Sequence, residues 1–130
     1  MGRFNKIPVI KKAGVRGSFP VQGSDHKSLT FLREEISLII GVLTVELFLG
    51  EANSLKEKRR FIKSIIDRIK SRFNVSVAEV GEQDTWQRCI LGVSFISCEQ
   101  AHVHQVLSAV VRFIEAQGTV LITDYQIELL

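Results

Sequence analysis

The sequence contains little cysteine, proline or methionine, and it has no long apolar run. Its 130 residues include two cysteines, two prolines and one methionine. No apolar run approaches the roughly 18–20 residues that span a bilayer, and the N-terminus lacks the apolar segment of a secretory signal. We therefore expect a cytoplasmic protein without a membrane partner, in which both thiols stay reduced.

The composition is that of a globular protein, but its positive charge is unevenly distributed. Hydrophobic residues make up 45% of the chain and charged residues 24%, which predicts one domain with one hydrophobic core. Residues 1–37 carry seven bases and three acids, a net charge of +4, whereas residues 38–130 carry ten bases and eleven acids, a net charge of −1. Only the local distribution of charge can therefore indicate what the domain binds.

Residues 1–37 differ from the rest of the chain in pattern as well as in charge. They are rich in glycine, lysine and serine, contain Pro8 and Pro20, and show no sustained periodicity. This predicts a disordered or non-native N-terminal tail before a folded domain at residues 38–130. Because Met1 is the only methionine, two alternatives stay open: the true start lies near Leu38 at a non-AUG codon, or the tail is a real basic arm.

From Leu38 onward the hydrophobic pattern becomes regular. It predicts strands at residues 38–48, 75–80, 88–97 and 119–130, a helix at 55–73 and a second helix that ends before Gly118. Ser54 with Glu57, and Ser97 with Gln100, have the spacing of capping boxes that open these helices. Two βαβ units in series predict the α+β ferredoxin-like βαββαβ fold, a four-stranded antiparallel sheet with two helices on one face.

The predicted first helix is the strongest local signal, because it collects eight bases and two acids between Leu55 and Phe73. Cations in its first turns face the positive end of the helix dipole, which disfavours them unless an anion binds there. The hypothesis is a non-enzymatic RNA or anion site on this helix, and its alternative is a solvated helix face. The candidate residues are Lys56, Lys58, Arg59, Arg60, Lys63 and Lys70.

The sheet face without helices offers a second candidate surface. Strand alternation places scattered aliphatic residues there, without the aromatic residues and basic surroundings of an RNA-recognition sheet. This favours a protein contact over an RNA contact at this face. Two alternatives stay open: a homodimer packed sheet to sheet that can also hold a small ligand, and a monomer with a few exposed apolar residues. The candidate interface residues are Val42, Thr44, Ile90, Ile96 and Ile122.

The remaining chemically active residues do not assemble into a recognisable site. His102 and His104 are two apart on a predicted helix and point in different directions, so no metal is expected. Cys89 falls on the inward parity of a strand and is expected to be a buried small hydrophobe. Trp86 is expected to close an edge of the core, with stacking on a base or partner as the minority alternative. Neither a catalytic site nor a cofactor motif is recognisable, so we expect no enzyme.

The segment from Ile39 to Ser97 strongly resembles the YlxP-like family, small bacterial proteins classed as a domain of unknown function. The most telling stretches are residues 54–60 (SLKEKRR), 73–79 (FNVSVAE) and 84–88 (DTWQR). The resemblance implies a ferredoxin-like domain that begins close to Leu38. It also implies contact with RNA or the ribosome, since members are associated with translation, and it brings no catalytic residues.

Overall fold

The computed structural model describes residues 36–130, so nearly all of the predicted tail at residues 1–37 lies outside the described residues. The strands are β1 (Ile39–Phe48), β2 (Ser76–Gly81), β3 (Arg88–Ser97) and β4 (Leu121–Leu129), and the helices are α1 (Leu55–Arg72) and α2 (Gln100–Glu115). The βαββαβ order predicted from the sequence is confirmed. Among residues 36–130, neither helix is long and apolar enough to cross a membrane.

The four strands form one antiparallel sheet in the order β2-β3-β1-β4. Both helices bury their apolar sides against the same sheet face, as the ferredoxin-like fold requires. Leu43 of β1 and Leu91 of β3 are fully buried in that core, together with Leu107 of α2. The opposite face of the sheet, which we call the open face, has no helix packed on it within residues 36–130.

A β-bulge in β4 changes which side chains reach the open face. Glu46 of β1 pairs with Asp124, but the next residue, Leu47, pairs with Ile122, so Thr123 is an extra residue that has no opposite residue in β1. The extra residue reverses the alternation. Ile122 therefore packs against the core on the helix-covered face, and the prediction that placed it on the open face is wrong.

The two predicted capping boxes have different outcomes. The hydroxyl of Ser54 accepts a hydrogen bond from the Glu57 backbone N–H at 3.1 Å, and the Glu57 carboxylate accepts one from the Asn53 N–H at 2.7 Å. This confirms the cap that opens α1. The second box is wrong, because Glu99 is the N-cap of α2 and makes no side-chain capping bond.

Candidate nucleic-acid interface

An exposed row of cations runs along α1. Side chains project about every 100° around an α-helix, which places the five residues within about 100° of one another on the side opposite the core. From the first to the last, fourteen residues of helix rise about 21 Å. All five are exposed, and we call this surface the basic face: Lys56, Arg59, Arg60, Lys63 and Lys70.

Most of the basic face is not neutralised by carboxylates of the domain. Lys63 Nζ lies 3.1 Å from Asp67 Oδ2, in a pair whose side chains are 76% and 61% exposed. Such exposed helix pairs are weak and leave the lysine available to a stronger anion. Within residues 36–130, the other four cations form no salt bridge.

Lys58 does not belong to this surface, and the prediction that assigned it to RNA is wrong. Its side chain is 1% exposed, and its ammonium group lies 3.0 Å from Glu79 Oε2. The same ammonium donates hydrogen bonds to the carbonyl oxygens of Glu82 at 2.5 Å and Thr85 at 2.7 Å. Lys58 lies four residues before Ile62 and therefore on the buried side of α1. The number of bases in a helix does not show which side of the helix each of them occupies.

The contacts of Lys58 fix the loop between β2 and β3 from the inside. Glu82 adopts a left-handed φ of 58°, and its carboxylate accepts a hydrogen bond from the Thr85 hydroxyl at 3.1 Å. At the end of the loop, the Leu49 N–H donates to the Gln87 carbonyl at 2.8 Å. Trp86 stands between these two anchors and remains 46% exposed, so closing the core edge accounts for only part of its surface.

Cys89 occupies the core next to the Lys58–Glu79 ion pair. It is fully buried, which confirms the prediction of a buried residue at this position. Burial raises the pKa of the Cys89 thiol well above its ordinary value, and the negative charge of the Glu79 carboxylate raises it further. The thiol is therefore protonated at neutral pH and is not poised as a nucleophile.

The open face carries fewer exposed members of the predicted interface than expected. Thr44 and Ile90 lie on it but are each only 8% exposed, whereas Ile96 is 55% exposed and Val42 is half-buried. Two aliphatic residues outside the predicted interface also lie on this face, Val80 and Leu121, which are 59% and 61% exposed. Val80 is the extra residue of a second bulge, opposite β3, and leans over Gly92. Strand alternation already places Val80 on the same face as Ala78, whereas Leu121 reaches this face only because of the bulge in β4.

A cleft of about 470 Å³ lies where β3 extends beyond the start of β2. The last β2–β3 pair is Ser76 with Ser94, and β3 continues to Ser97. Ile96 and the last cation of the basic face, Lys70, both line this cleft. The basic face thus ends in an open, partly apolar depression.

Comparisons with known proteins identify the family. A family model described as "Protein of unknown function (DUF503)" matches residues 40–127. The chain belongs to the DUF503 family. The uncharacterized protein YlxP of Bacillus subtilis (strain 168) is 40% identical over 78 residues, which cover 60% of this chain and 85% of YlxP. These matches confirm the resemblance to the YlxP-like family.

One solved structure similar to this DUF503 chain is the de novo designed protein Foldit4. The two share 12% sequence identity with a TM-score of 0.44, over 72% of this chain and 97% of the designed one.

The two histidines of α2 differ in their surroundings. His102 Nδ1 lies 2.9 Å from the Ser97 hydroxyl, and its ring packs edge-on against Phe95 with the ring centroids 5.1 Å apart. His104 is exposed on α2. In the described part of the chain, no group of three or more histidine, cysteine, aspartate or glutamate residues could hold a metal ion.

Proposed function

We propose that this DUF503 protein is a non-enzymatic binding protein that contacts RNA or the ribosome through the basic face. The observation that carries the proposal is the row of five exposed cations, four of which form no salt bridge within residues 36–130. Outside α1, residues 38–130 hold only two bases, Arg112 and Arg88, and Arg88 is paired with Glu46 at 3.3 Å, so they offer no comparable row. We expect the protein to act in the cytoplasm.

The position of the cations on α1 supports an anionic partner. Lys56, Arg59 and Arg60 lie in the first two turns, where the helix dipole disfavours positive charge by about 0.3–1 kcal/mol per residue. A phosphate bound in front of these side chains offsets that cost and releases counterions from the nucleic acid. The spacing along about 21 Å of helix suits a polyanion better than a single small anion.

Co-sedimentation with ribosomal subunits tests this proposal. The full-length protein should pellet with purified subunits at about 50 mM salt and leave them as the salt rises to about 200 mM. A variant with Lys56→Gln and Arg60→Gln should bind the subunits more weakly, so it should dissociate from them at a lower salt concentration than the wild type does. Wild-type protein that stays in the supernatant at every salt concentration would contradict the proposal.

The open face supports a second candidate function, a regulatory or scaffolding homodimer that associates sheet to sheet. Three aliphatic residues of this face, Val80, Ile96 and Leu121, are more than half exposed. A shallow depression of about 210 Å³ beside Val42 and Val80 offers room for a small ligand in the same surface. Packing two such faces together removes this apolar surface from water.

Sedimentation velocity over a range of concentrations tests the second candidate. The wild type should shift from monomer to dimer as its concentration rises, and Ile96→Arg should remain monomeric because a charge would be buried in the contact. Lys63→Glu, a charge change on the other side of the domain, is the matched control and should dimerise as the wild type does. A wild-type protein that stays monomeric throughout excludes this candidate.

A further inference from the structure

The loop between β2 and β3 is held from the core by a buried charge. Placing the ammonium group of Lys58 out of water costs free energy, and an apolar side chain of similar length would fill the same space. What an apolar side chain could not do is bind the carbonyl oxygens of Glu82 and Thr85, as Lys58 does at 2.5 and 2.7 Å. The lysine therefore determines the path of the backbone in this loop.

That path presents Trp86 to solvent. The residue before it is held by Lys58 through the Thr85 carbonyl, and the residue after it is held by the Leu49 N–H through the Gln87 carbonyl. The left-handed backbone of Glu82, at φ 58°, is a further constraint on the same loop. The large aromatic side chain of Trp86 is 46% exposed, and the backbone on both sides of this residue is held in place.

The loop lies against the beginning of α1. The Lys58 side chain joins the first turn of α1, on its buried side, to the Thr85 carbonyl, so the loop that carries Trp86 lies at the end of the domain where α1 begins. Lys56, Arg59 and Arg60 are exposed on the outer side of the same end of α1. Asp84, two residues before Trp86, is also exposed. Its carboxylate repels a phosphate placed beside the indole but not an uncharged base.

We propose that Trp86 is a stacking platform for an unpaired base of single-stranded RNA whose phosphates follow the basic face. The inference rests on the proposed RNA contact and narrows it to unpaired RNA, because a base inside a duplex has no free face for the indole. Cations that track the backbone, combined with an aromatic side chain that stacks a base, are the two elements of single-strand recognition.

Tryptophan fluorescence tests this directly, because Trp86 is the only tryptophan in the chain. Single-stranded poly(U) should quench the emission of the full-length protein, whereas duplex poly(A)·poly(U) should bind at low salt without quenching it. Trp86→Ala should weaken poly(U) binding about 5- to 150-fold and leave duplex binding and the salt dependence unchanged. Trp86→Phe should retain most of the affinity, because phenylalanine also stacks.

The outcomes separate this inference from the proposed function. Unquenched emission with poly(U), together with equal poly(U) affinity for Trp86→Phe, Trp86→Ala and the wild type, overturns the stacking role. The RNA proposal itself still stands in that case if Lys56→Gln with Arg60→Gln weakens binding. A wild type that binds neither polymer at low salt overturns both. If Trp86→Ala does not fold, the test of stacking rests on whether poly(U) quenches the wild type and on the poly(U) affinity of Trp86→Phe.

Discussion

Lys58 and Glu79 form an ion pair inside the domain, with Nζ 3.0 Å from Oε2 and side chains that are 1% and 21% exposed. The lysine comes from the most basic helix of the protein, yet it is the one base of α1 that is buried. Glu79 pairs with Leu91 on the helix-covered face of the sheet, which directs its carboxylate towards α1. Lys58 therefore has a structural role, whereas the other bases of α1 are exposed and available to a partner.

Removing one member of this pair should destabilise the domain more than removing both. Lys58→Met leaves the Glu79 carboxylate without its counter-charge and two carbonyl oxygens without a donor, and should cost about 3 kcal/mol in urea unfolding. The double variant Lys58→Met with Glu79→Leu should recover part of that loss. Equal unfolding free energies for the single and double variants would contradict this prediction, because the unpaired Glu79 carboxylate would then cost nothing.

Stability should fall at high pH because of Cys89. Its thiol has an ordinary pKa of 9.0, and burial and Glu79 raise the pKa in the folded protein. The unfolded chain therefore loses this proton first, and the free energy of unfolding should decrease above about pH 9, by up to about 1.4 kcal/mol per pH unit. Cys89→Ala should remove this decrease when urea unfolding is compared between about pH 8 and 10. A Cys89→Ala variant with the same pH dependence as the wild type would contradict it.

The two serines that look alike in the sequence should differ in their effect on stability. Ser54 caps α1 through the Glu57 N–H, so Ser54→Ala should cost about 1 kcal/mol. The Ser97 hydroxyl accepts a hydrogen bond from the Glu99 N–H and contacts the His102 ring, but it caps no backbone N–H of α2. Ser97→Ala should therefore cost about half as much as Ser54→Ala, or less. Thermal or urea unfolding of both variants provides the comparison. A larger loss of stability for Ser97→Ala than for Ser54→Ala would contradict the assignment of Glu99 as the N-cap of α2.

Glycine substitutions on the two faces of the sheet should also differ. A methyl group at Gly41 would clash with Val103 and Leu107 of α2, so Gly41→Ala should cost about 1–3 kcal/mol. A methyl group at Gly92 meets only the exposed Val80 on the open face, which can move aside, so Gly92→Ala is the matched control with a smaller loss. Equal losses in urea unfolding would contradict the packing of α2 on β1.

The sequence was sufficient for the order of the elements and for most of the core, because those depend on periodicity. The burial of Lys58 was predictable in principle, since it lies on the same side of the helix as Ile62, Ile65 and Ile69. The number of bases in the helix carries no information about this side. Ile122 was not predictable from alternation, because the extra residue Thr123 reverses it and a bulge depends on pairing with β1. Leu121 was missed for the same reason, whereas Val80 shares the parity of Ser76 and Ala78 and was predictable from alternation alone.

The exposure of Trp86 depends on contacts between residues that are far apart in the sequence. The Lys58 ammonium bridges 27 positions to the Thr85 carbonyl, and the Leu49 N–H reaches the Gln87 carbonyl. Only the folded arrangement shows that these contacts hold the loop on both sides of the indole. The five cations of the basic face were predictable from the sequence, because their spacing follows the period of one helix, but the prediction also included Lys58, which is buried.

The salt dependence of RNA binding, compared between charge-matched variants, tests the central claim most directly. Lys56→Gln with Arg60→Gln removes two cations of the basic face, and Arg68→Gln with Arg112→Gln removes two exposed cations elsewhere. In full-length protein, the basic-face variant should bind poly(U) more weakly, and its slope of log affinity against log salt should be smaller by about 1.4. The control should keep the wild-type slope. Equal slopes and affinities for the two variants would contradict a role of the basic face in binding.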